Sequence, residues 1–473
     1  MSKESKVELA KRDGRHLRGT IAEQLHDGGS HFEGDDVTLL KFHGTYQQDD
    51  RDARKRRDES GEKSYAFMVR VALPAGALDA GQYLALEEVA DRWANGTLRV
   101  TTRQGFQFHG VLKRDLKATI AEVNHQLMTT LAACGDVSRN VMGCPAPVND
   151  EAHQAVRAAA RGIAERLRPA SKAYHEIWLD GEKQASTEEE PFYGDVYLPR
   201  KFKTGVALAS DNCVDIWSQD VGLVAIVNGR TVRGFNVLVG GGLGMTHHKA
   251  DTTARLAQPL GFVTTEYAVE AVRIVAAIFR DHGNRADRRH ARLKYLLAEW
   301  GIERFRAEFV SRASFPLLPP VPLPRLPFHD HLGRHRQADG RWFYGVFVQS
   351  GRILDDSSHR LRTALREIVD RVRPGVRLTA QQNLLLTDLD AAALDQVEAT
   401  LRAHGVTPAL ELSAVRRYSV ACPALPTCGL AVAESERAIP GLLDQLEAEL
   451  ETLGLRHEPL TVRMTGCPNG CAR

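Results

Sequence analysis

Long apolar runs, net charge and cysteine are all scarce in this chain of 473 residues. No stretch approaches the roughly eighteen consecutive apolar residues of a spanning helix, and MSKESKVELAKRDGRHLRGT at the start holds no apolar core of a secretory leader. No membrane segment is expected, and a reducing cytoplasm is the expected setting. Sixty-two basic side chains stand against sixty acidic ones, so the formal charge is only +2. That balance argues against nucleic-acid binding by bulk electrostatics, and any working positive charge must be local. With 43% hydrophobic and 26% charged residues, the composition is that of an ordinary globular protein, long enough for about three domains.

Of only seven cysteines, four fall in the last fifty-two residues: Cys422 and Cys428 in ACPALPTC, Cys467 and Cys471 in TGCPNGC. They form two clips, C-x5-C and C-x3-C, separated by thirty-eight residues, and a fold that brought them together would suit a four-thiolate iron–sulfur cluster. Tetrahedral zinc is the rival, although no clip has the two intervening residues common in zinc sites. A disulfide pair is the third reading and fits a small secreted scaffold better than this chain. Pro423, Pro426 and Pro468, with the Asn469-Gly470 turn, present the thiols from tight loops.

The chain is internally duplicated. TLRVTTRQ from Thr97 recurs as VRLTAQQ from Val376, pairing Arg99 with Arg377, Thr101 with Thr379 and Gln104 with Gln382 at an offset of 278. The same offset links Arg139 to Arg417 and Cys144-Pro145-Ala146 to Cys422-Pro423-Ala424. SYAFMVRVALP answers RWFYGVFVQSG. A spacing kept over this length implies two copies of an α+β module related by a pseudo-twofold axis. Each copy reads as a strand, a helix, a second strand and a second helix, and TLRVTTRQGFQFHGV reads as one continuous strand. The fold class expected is therefore α+β with three lobes. Segment 1–64 reads as a charged arm, either a solvated linker or a surface for docking a partner. Segments 65–132 and 334–408 read as the paired half-repeats, and 133–333 as an α+β lobe ending in a connector with six prolines from Pro316 to Pro327. Residues 409–473 hold the cysteine clips. Copy two stops fifty-one residues past Cys422, far short of copy one, so a truncated C-terminal lobe is expected. Cys144 reads either as a relic of duplication or as a residue with a local role. GGGLG at Gly240 lacks the G-x-G-x-x-G spacing of a dinucleotide site and reads as a turn or a close backbone approach.

Basic residues recur in copy one: Arg70, Arg99, Arg103, Arg139, then Arg200, Lys201 and Lys203 in LPRKFKT. Strand alternation would put Arg99, Thr101 and Arg103 on one face. Guanidinium forks suit carboxylates and lysine suits a compact oxyanion, so the group reads as a polycarboxylate or oxyanion site, with a solvated sheet face as the alternative for any single member.

RVTTRQGFQFHG, SRNVM, AYHEIWLDGEK, YLPRKFKT, FNVLVGGGLG, DHGNRADR, ACPALPTC and TGCPNGC together resemble the sulfite and nitrite reductase family, over nearly the whole chain from Tyr65. EIWLDGEK and LPRKFKT resemble its assimilatory, NADPH-dependent hemoprotein branch. The resemblance implies one siroheme and one 4Fe-4S cluster, with Cys422, Cys428, Cys467 and Cys471 as cluster ligands and Cys471 also bridging to the siroheme iron. It implies that Arg99, Thr101, Arg103 and Gln107 hold siroheme carboxylates, that Arg70, Arg139, Lys201 and Lys203 surround the substrate anion, and that Asn469 lies in the cluster loop. The implied activity is six-electron reduction of sulfite to sulfide in sulfur assimilation and cysteine biosynthesis, with an FAD- and FMN-containing, NADPH-oxidising flavoprotein as partner. Ferredoxin-dependent reduction of sulfite or nitrite with the same cofactors is the alternative, and a non-catalytic cluster protein or zinc-held scaffold the reading from another class. Copy two has Gln381 where copy one has Arg103, so one copy is expected to keep the anion face and the other the cluster.

Overall fold

A computed structural model describes residues 4–55, 63–171, 178–179, 182–183 and 190–472. The end of the expected arm, 56–62, and most of AYHEIWLDGEK lie outside the described residues.

Two five-stranded antiparallel sheets carry the duplication. The first runs Thr45–Asp49, Tyr65–Arg70, Phe106–Val111, Leu98–Val100, Arg352–Ile353. The second runs Gly333–Arg336, Trp342–Val346, Leu384–Leu389, Gly375–Leu378, Ala77–Leu78. The order is the same in both, and each sheet ends on a two-residue strand from the other copy. Arg352 pairs with Arg99 and Ile353 with Leu98, while Ala77 pairs with Arg377 and Leu78 with Val376. Arg99 and Arg377 thus occupy equivalent strands. Backbone detail repeats as well: Ala75 and Ser350, then Gln104 and Gln382, are non-glycine residues with φ of 56°, 51°, 51° and 66°. Such positions are uncommon for residues with a Cβ, so their pairwise recurrence marks one architecture used twice.

Helices cover these sheets for local reasons. Ala80–Trp93 starts in a capping box: Asp79 accepts from Gln82 N at 2.8 Å and the Gln82 side chain accepts from Asp79 N at 3.1 Å. Leu361–Val372 buries Leu361, Ala364, Leu365, Ile368 and Val369, one stripe at helical spacing. Asp390 caps Ala391–Ala403. These faces and the two sheets share one core, in which Phe106, Phe108, Leu384 and Leu386 are fully enclosed.

A third sheet, in the order Gln258–Thr264, Thr231–Val239, Val221–Asn228, Thr204–Leu208, Met142–Gly143, is antiparallel at one end and parallel at the other. Glu151–Arg166, Ala268–His282 and Leu293–Arg312 pack around it, and the apolar run of Val221–Asn228 lies in its centre. The segment after residue 409 is small: Val420–Ala421 pairs in parallel with Arg463–Met464 beside the helix Ile439–Thr452.

Two expectations are corrected. The N-terminal segment is not a loose charged arm over its described residues. Thr45–Asp49 is the edge strand of the first sheet, and Leu17, Phe32 and Phe42 are core residues. Lys11 is wholly buried, donating to Glu8 at 2.5 Å and lying 3.8 Å from Asp136. TLRVTTRQGFQFHGV is a hairpin rather than one strand, since Thr101 N donates to Gly105 O at 2.9 Å and Gln104 has φ 51°. The alternation that would align Arg99, Thr101 and Arg103 therefore ends at Val100.

The buried Glu87 generates a prediction. It is fully enclosed in Ala80–Trp93, one oxygen accepts from the Tyr83 hydroxyl at 2.9 Å, and the other has no hydrogen-bond partner. Burial raises its carboxyl to about 7, against the Tyr83 hydrogen bond and the Arg362 and Arg366 charges, which act downward. An acid raised in the fold favours folding while neutral, so this contribution is complete below the unfolded value of 4.5 and is lost as pH rises through about 7. The loss amounts to roughly 3 kcal/mol. Glu87→Gln is expected to melt a few degrees above wild type near pH 8 and to lose that advantage near pH 5. Thermal denaturation at both pH values measures it, and a variant no more stable than wild type at the higher pH contradicts it.

Candidate active site

Strand register builds a row of charge. Arg70 pairs with Gln107, Gln107 with Arg99, and Arg99 with Arg352, so four neighbouring strands set three guanidiniums and one amide side by side. Gln107, with its amide oxygen turned toward Arg70, accepts from Nε at 2.9 Å. Arg70 Nη1 donates to the Cys134 sulfur at 2.7 Å, and its guanidinium lies 5.7 Å from the Tyr46 ring centre.

A second set of pairings brings the remaining cations there. Residues 137–139 run beside Phe202: Phe202 N donates to Val137 O at 3.0 Å and Arg139 N to Phe202 O at 2.9 Å. Arg139 is thereby placed next to the segment of Lys201 and Lys203. Its side chain donates twice to Gly135 O at 3.1 Å. The Lys203 main chain is tied to Asp220, whose carboxylate forms a buried pair with Arg292 at 2.8 Å. Asp136 receives Arg288 at 2.7 Å, with Arg200 3.9 Å away, so Arg200 is balanced outside the group.

The electrostatics show convergence. Burial raises the Cys134 thiol, but Arg70, Arg139, the Tyr46 hydroxyl and Lys201 overcome it and hold the thiol below its usual range. Burial and the Cys134 charge push the Tyr46 phenol up to about 12. Burial, then Arg200, Arg292 and Arg139, drive Lys201 well below the usual lysine range, and Cys471 pulls the other way. Arg70, Arg139 and Lys201 thus all act on Cys134, and Lys201 is also acted on by Cys471. Tyr46 and Cys134 were not singled out in the sequence, because nothing near them in the chain shows that non-local pairing will enclose them with three cations.

Arg99, Thr101 and Arg103 are placed differently. Arg99 is 2% exposed and donates to Glu436 at 3.1 Å and to Ala421 O at 2.9 Å. Arg352 grips the other oxygen of Glu436 at 2.7 Å. Arg99 is therefore already joined to a carboxylate of the cysteine-bearing lobe. Thr101 Oγ1 accepts from Arg103 N and Gly105 N, both at 3.2 Å, and shapes the hairpin turn. Arg103 Nη2 donates to Gln219 Oε1 at 2.6 Å.

The other three clip cysteines all lie close enough to act on Cys428. Burial raises the Cys428 thiol, the Leu430 backbone acts against it, and Cys471, Cys467 and Cys422 add to the rise. Gly466 N donates to the Cys422 sulfur at 3.4 Å and Asn469 Nδ2 to the Cys467 sulfur at 3.5 Å. Cys422 is 8% exposed and Cys471 is open to solvent. The GGGLG loop lies against these residues: Met245 N donates to Pro468 O at 2.8 Å, and a Cβ on Gly244 would fall 2.7 Å from Asn469 O. Its close backbone approach is to the cysteine loop. Mutually repelling soft thiols with N–H donors aimed at two of the sulfurs fit an iron–sulfur cluster. The Nε2 of His109 and Oδ1 of Asn140 are buried without partners beside the cation group's strands, and with Arg70, Arg139 and Lys201 they fit a polycarboxylate macrocycle and a small oxyanion.

Four thiols next to a buried group of cations define a redox protein with a soft-metal centre and an anion site. The family model for the nitrite and sulphite reductase 4Fe-4S domain matches residues 159–317, and that for the nitrite/sulfite reductase ferredoxin-like half domain matches twice, at 59–126 and 334–404. The chain is 48% identical to a sulfite reductase (ferredoxin) of Synechococcus elongatus, covering 99% of this chain and 78% of that protein. It is 46% identical to the sulfite reductase (NADPH) hemoprotein beta-component of Geobacillus thermodenitrificans, covering 99% and 83%, and 47% identical to that of Myxococcus xanthus, covering 99% and 84%. The solved Mycobacterium tuberculosis NirA protein superposes with a TM-score of 0.79 at 27% identity, over 98% of this chain and 81% of that one. This chain belongs to the nitrite and sulphite reductase family.

Glu436 is the prediction of this site. Burial raises its carboxyl, and Arg99 and Arg352 overcome that and hold it low. Glu436→Gln leaves two buried guanidiniums without their carboxylate, at a cost of about 3 kcal/mol or more. A lower melting temperature is expected, together with lower iron content, because Glu436 N also donates to Cys422 O at 3.1 Å. Unchanged melting and iron content in the variant would refute the link.

Proposed function

We propose that this chain is the hemoprotein component of an assimilatory, NADPH-dependent sulfite reductase, carrying one siroheme and one 4Fe-4S cluster and serving cysteine biosynthesis in the cytoplasm. The observation that supports the reading is the gathering of Arg70, Arg139 and Lys201 about Cys134, with Lys201 also acted on by Cys471. The names of the Geobacillus and Myxococcus relatives support both the substrate and the donor class. Among the described residues no helix is long and apolar enough to cross a membrane.

Sulfite reduction to sulfide takes six electrons and enough protons to release three waters. Siroheme coupled to the cluster, when bound, would pass on singly the electrons received from the donor. The chain supplies the rest. Cys422, Cys428, Cys467 and Cys471 would hold the cluster, with Asn469 bracing its loop. Thr101, Arg103 and Gln107 would orient the macrocycle's carboxylates, and Arg99 would do so only while also holding Glu436. Arg70, Arg139, Lys201 and Lys203 would neutralise the anion's oxygens, with the lysines passing protons to them as they leave. We assign 65–132 with 334–408, 133–333 and 409–473 to the paired half-repeats, the anion lobe and the cluster lobe. The electron donor in this reading is a flavoprotein that oxidises NADPH. Ferredoxin is the second reading, favoured by the Synechococcus relative.

The test is steady-state reduction of sulfite and of nitrite with an artificial one-electron donor, with siroheme and iron content measured for each variant. Lys201→Met and Lys203→Met are expected to lower sulfite turnover about tenfold or more with cofactors retained, since a loss of roughly 1.4 kcal/mol at the transition state already gives tenfold. Turnover should also fall as pH rises through the depressed Lys201 value, and Lys201→Arg should move that alkaline limb upward because guanidinium stays charged. Cys467→Ser should lose iron. Wild-type turnover in both lysine variants, or a preference for nitrite, defeats the proposal.

A further inference from the structure

Outside the four clip cysteines, the fold gathers a second set of soft ligands. Cys144 follows the strand Met142–Gly143, Asp211 and Cys213 lie in the turn after Thr204–Leu208, and His331 precedes Gly333–Arg336. One ligand atom from each of the four lies within 4.8 Å of every other. The Cys144 sulfur is 3.2 Å from Asp211 Oδ2 and 3.9 Å from His331 Nε2, and His331 Nε2 is 2.9 Å from the same carboxylate oxygen. The Cys213 and Cys144 sulfurs are among these atoms, within 4.8 Å of each other. A zinc tetrahedron with sulfur at about 2.3 Å and nitrogen or oxygen at about 2.1 Å has edges of roughly 3.3–3.8 Å, so small side-chain movements would bring these atoms onto one.

All four groups are enclosed: Cys213 is fully buried, Cys144 is 1%, Asp211 4% and His331 9% exposed. Neighbours hold the ligands in place. Asp211 Oδ1 accepts from Cys213 N at 3.0 Å and from His329 N at 3.3 Å, and the Gln381 amide donates to Cys213 O at 2.6 Å. His153, anchored to Asp150 at 2.7 Å, lies close enough to act on the Cys144 thiol. Such outer partners fix ligand orientation in metal sites.

We propose that Cys144, Cys213, Asp211 and His331 form a structural zinc site, independent of the iron–sulfur cysteines. Four protein ligands from three segments leave no open position, which is the arrangement of a structural rather than a catalytic zinc. The metal joins the third sheet to the first residues of copy two. Cys144 stands at the offset of 278 from the clip residue Cys422, and each follows a two-residue strand. One duplicated position would thus serve an iron–sulfur cluster in one half and zinc in the other.

The experiment is elemental analysis of the full chain, with its cofactors, produced with both iron and zinc supplied, together with X-ray absorption at the zinc edge. About one zinc per chain is expected, with two sulfur ligands at about 2.3 Å. Cys213→Ser and His331→Ala should each reduce zinc to below about a tenth of an equivalent, whereas Cys467→Ser should lose iron and keep zinc. The absorption measurement on wild type stands even if a variant fails to fold. Wild-type protein without zinc, zinc coordinated only by oxygen and nitrogen, or a Cys144–Cys213 disulfide in the unreduced chain by mass spectrometry overturns the proposal.

Discussion

The carboxylate of Glu436 is the point on which the two copies and the cysteine-bearing lobe meet. Arg99 reaches it from copy one, Arg352 from the strand that copy two lends to copy one's sheet, and its own amide is bonded to Cys422. A buried carboxylate between two buried guanidiniums adds little net stability over an apolar contact, because desolvation consumes most of the attraction. Its value is geometric. Both arginines are fixed by strand pairing, so the one position that satisfies Glu436 also sets where Cys422 lies relative to the sheet carrying Arg70 and Gln107. The cation group and the thiols are held in one frame by a charge contact that an apolar residue would not orient.

The same logic explains how a chain of net charge +2 builds a positive site. Carboxylates are placed to neutralise some cations and not others. Asp136 takes Arg288 and lies near Lys11 and Arg200, and Asp220 takes Arg292. Arg70, Arg139 and Lys201 instead act on a thiol, Cys134, beside the Tyr46 phenol, and in the proposed reading they are left to meet an anion. The depressed Lys201 value is the cost of that arrangement, since burial among arginines makes the ammonium harder to keep until an anion is present.

The duplication was readable because it rests on spacing, and spacing survives divergence: Arg99 and Arg377 do lie on equivalent strands. The two cysteine clips were likewise legible as spacing along the chain. What sequence did not show depended on register and burial. The exchange of Ala77–Leu78 and Arg352–Ile353 between sheets leaves no trace in strands of two residues. The break at TTRQG was hidden because threonine and arginine are tolerated in strands, and only the left-handed Gln104 ends the ladder. Segment 4–55 looked like solvated charge because its buried pair, Lys11 with Glu8, reads as two more surface residues until Asp136, far along the chain, is brought beside it. Arg99 was read as a partner for a carboxylate of a bound group, whereas its carboxylate partner within the protein, Glu436, lies 337 residues away and had no local signal.

Symmetry of backbone and asymmetry of chemistry are separable here, and the separation shows how one duplicated scaffold specialises. Gln104 keeps the turn by donating to Gly143 O at 2.8 Å and to Leu378 O at 3.0 Å, so it binds across both copies, and its counterpart Gln382 keeps the same left-handed backbone. The preceding residue has diverged. In copy one it is Arg103, whose guanidinium donates to Gln219; in copy two it is Gln381, whose amide donates to Cys213 O. Both reach the loop between Leu208 and Val221, yet one brings charge and the other none. Arg103 meets the loop at Gln219, and Gln381 meets it at Cys213, beside Cys144, Asp211 and His331. One turn shape thus carries a guanidinium in copy one and a neutral amide in copy two, and each meets a different part of the same loop.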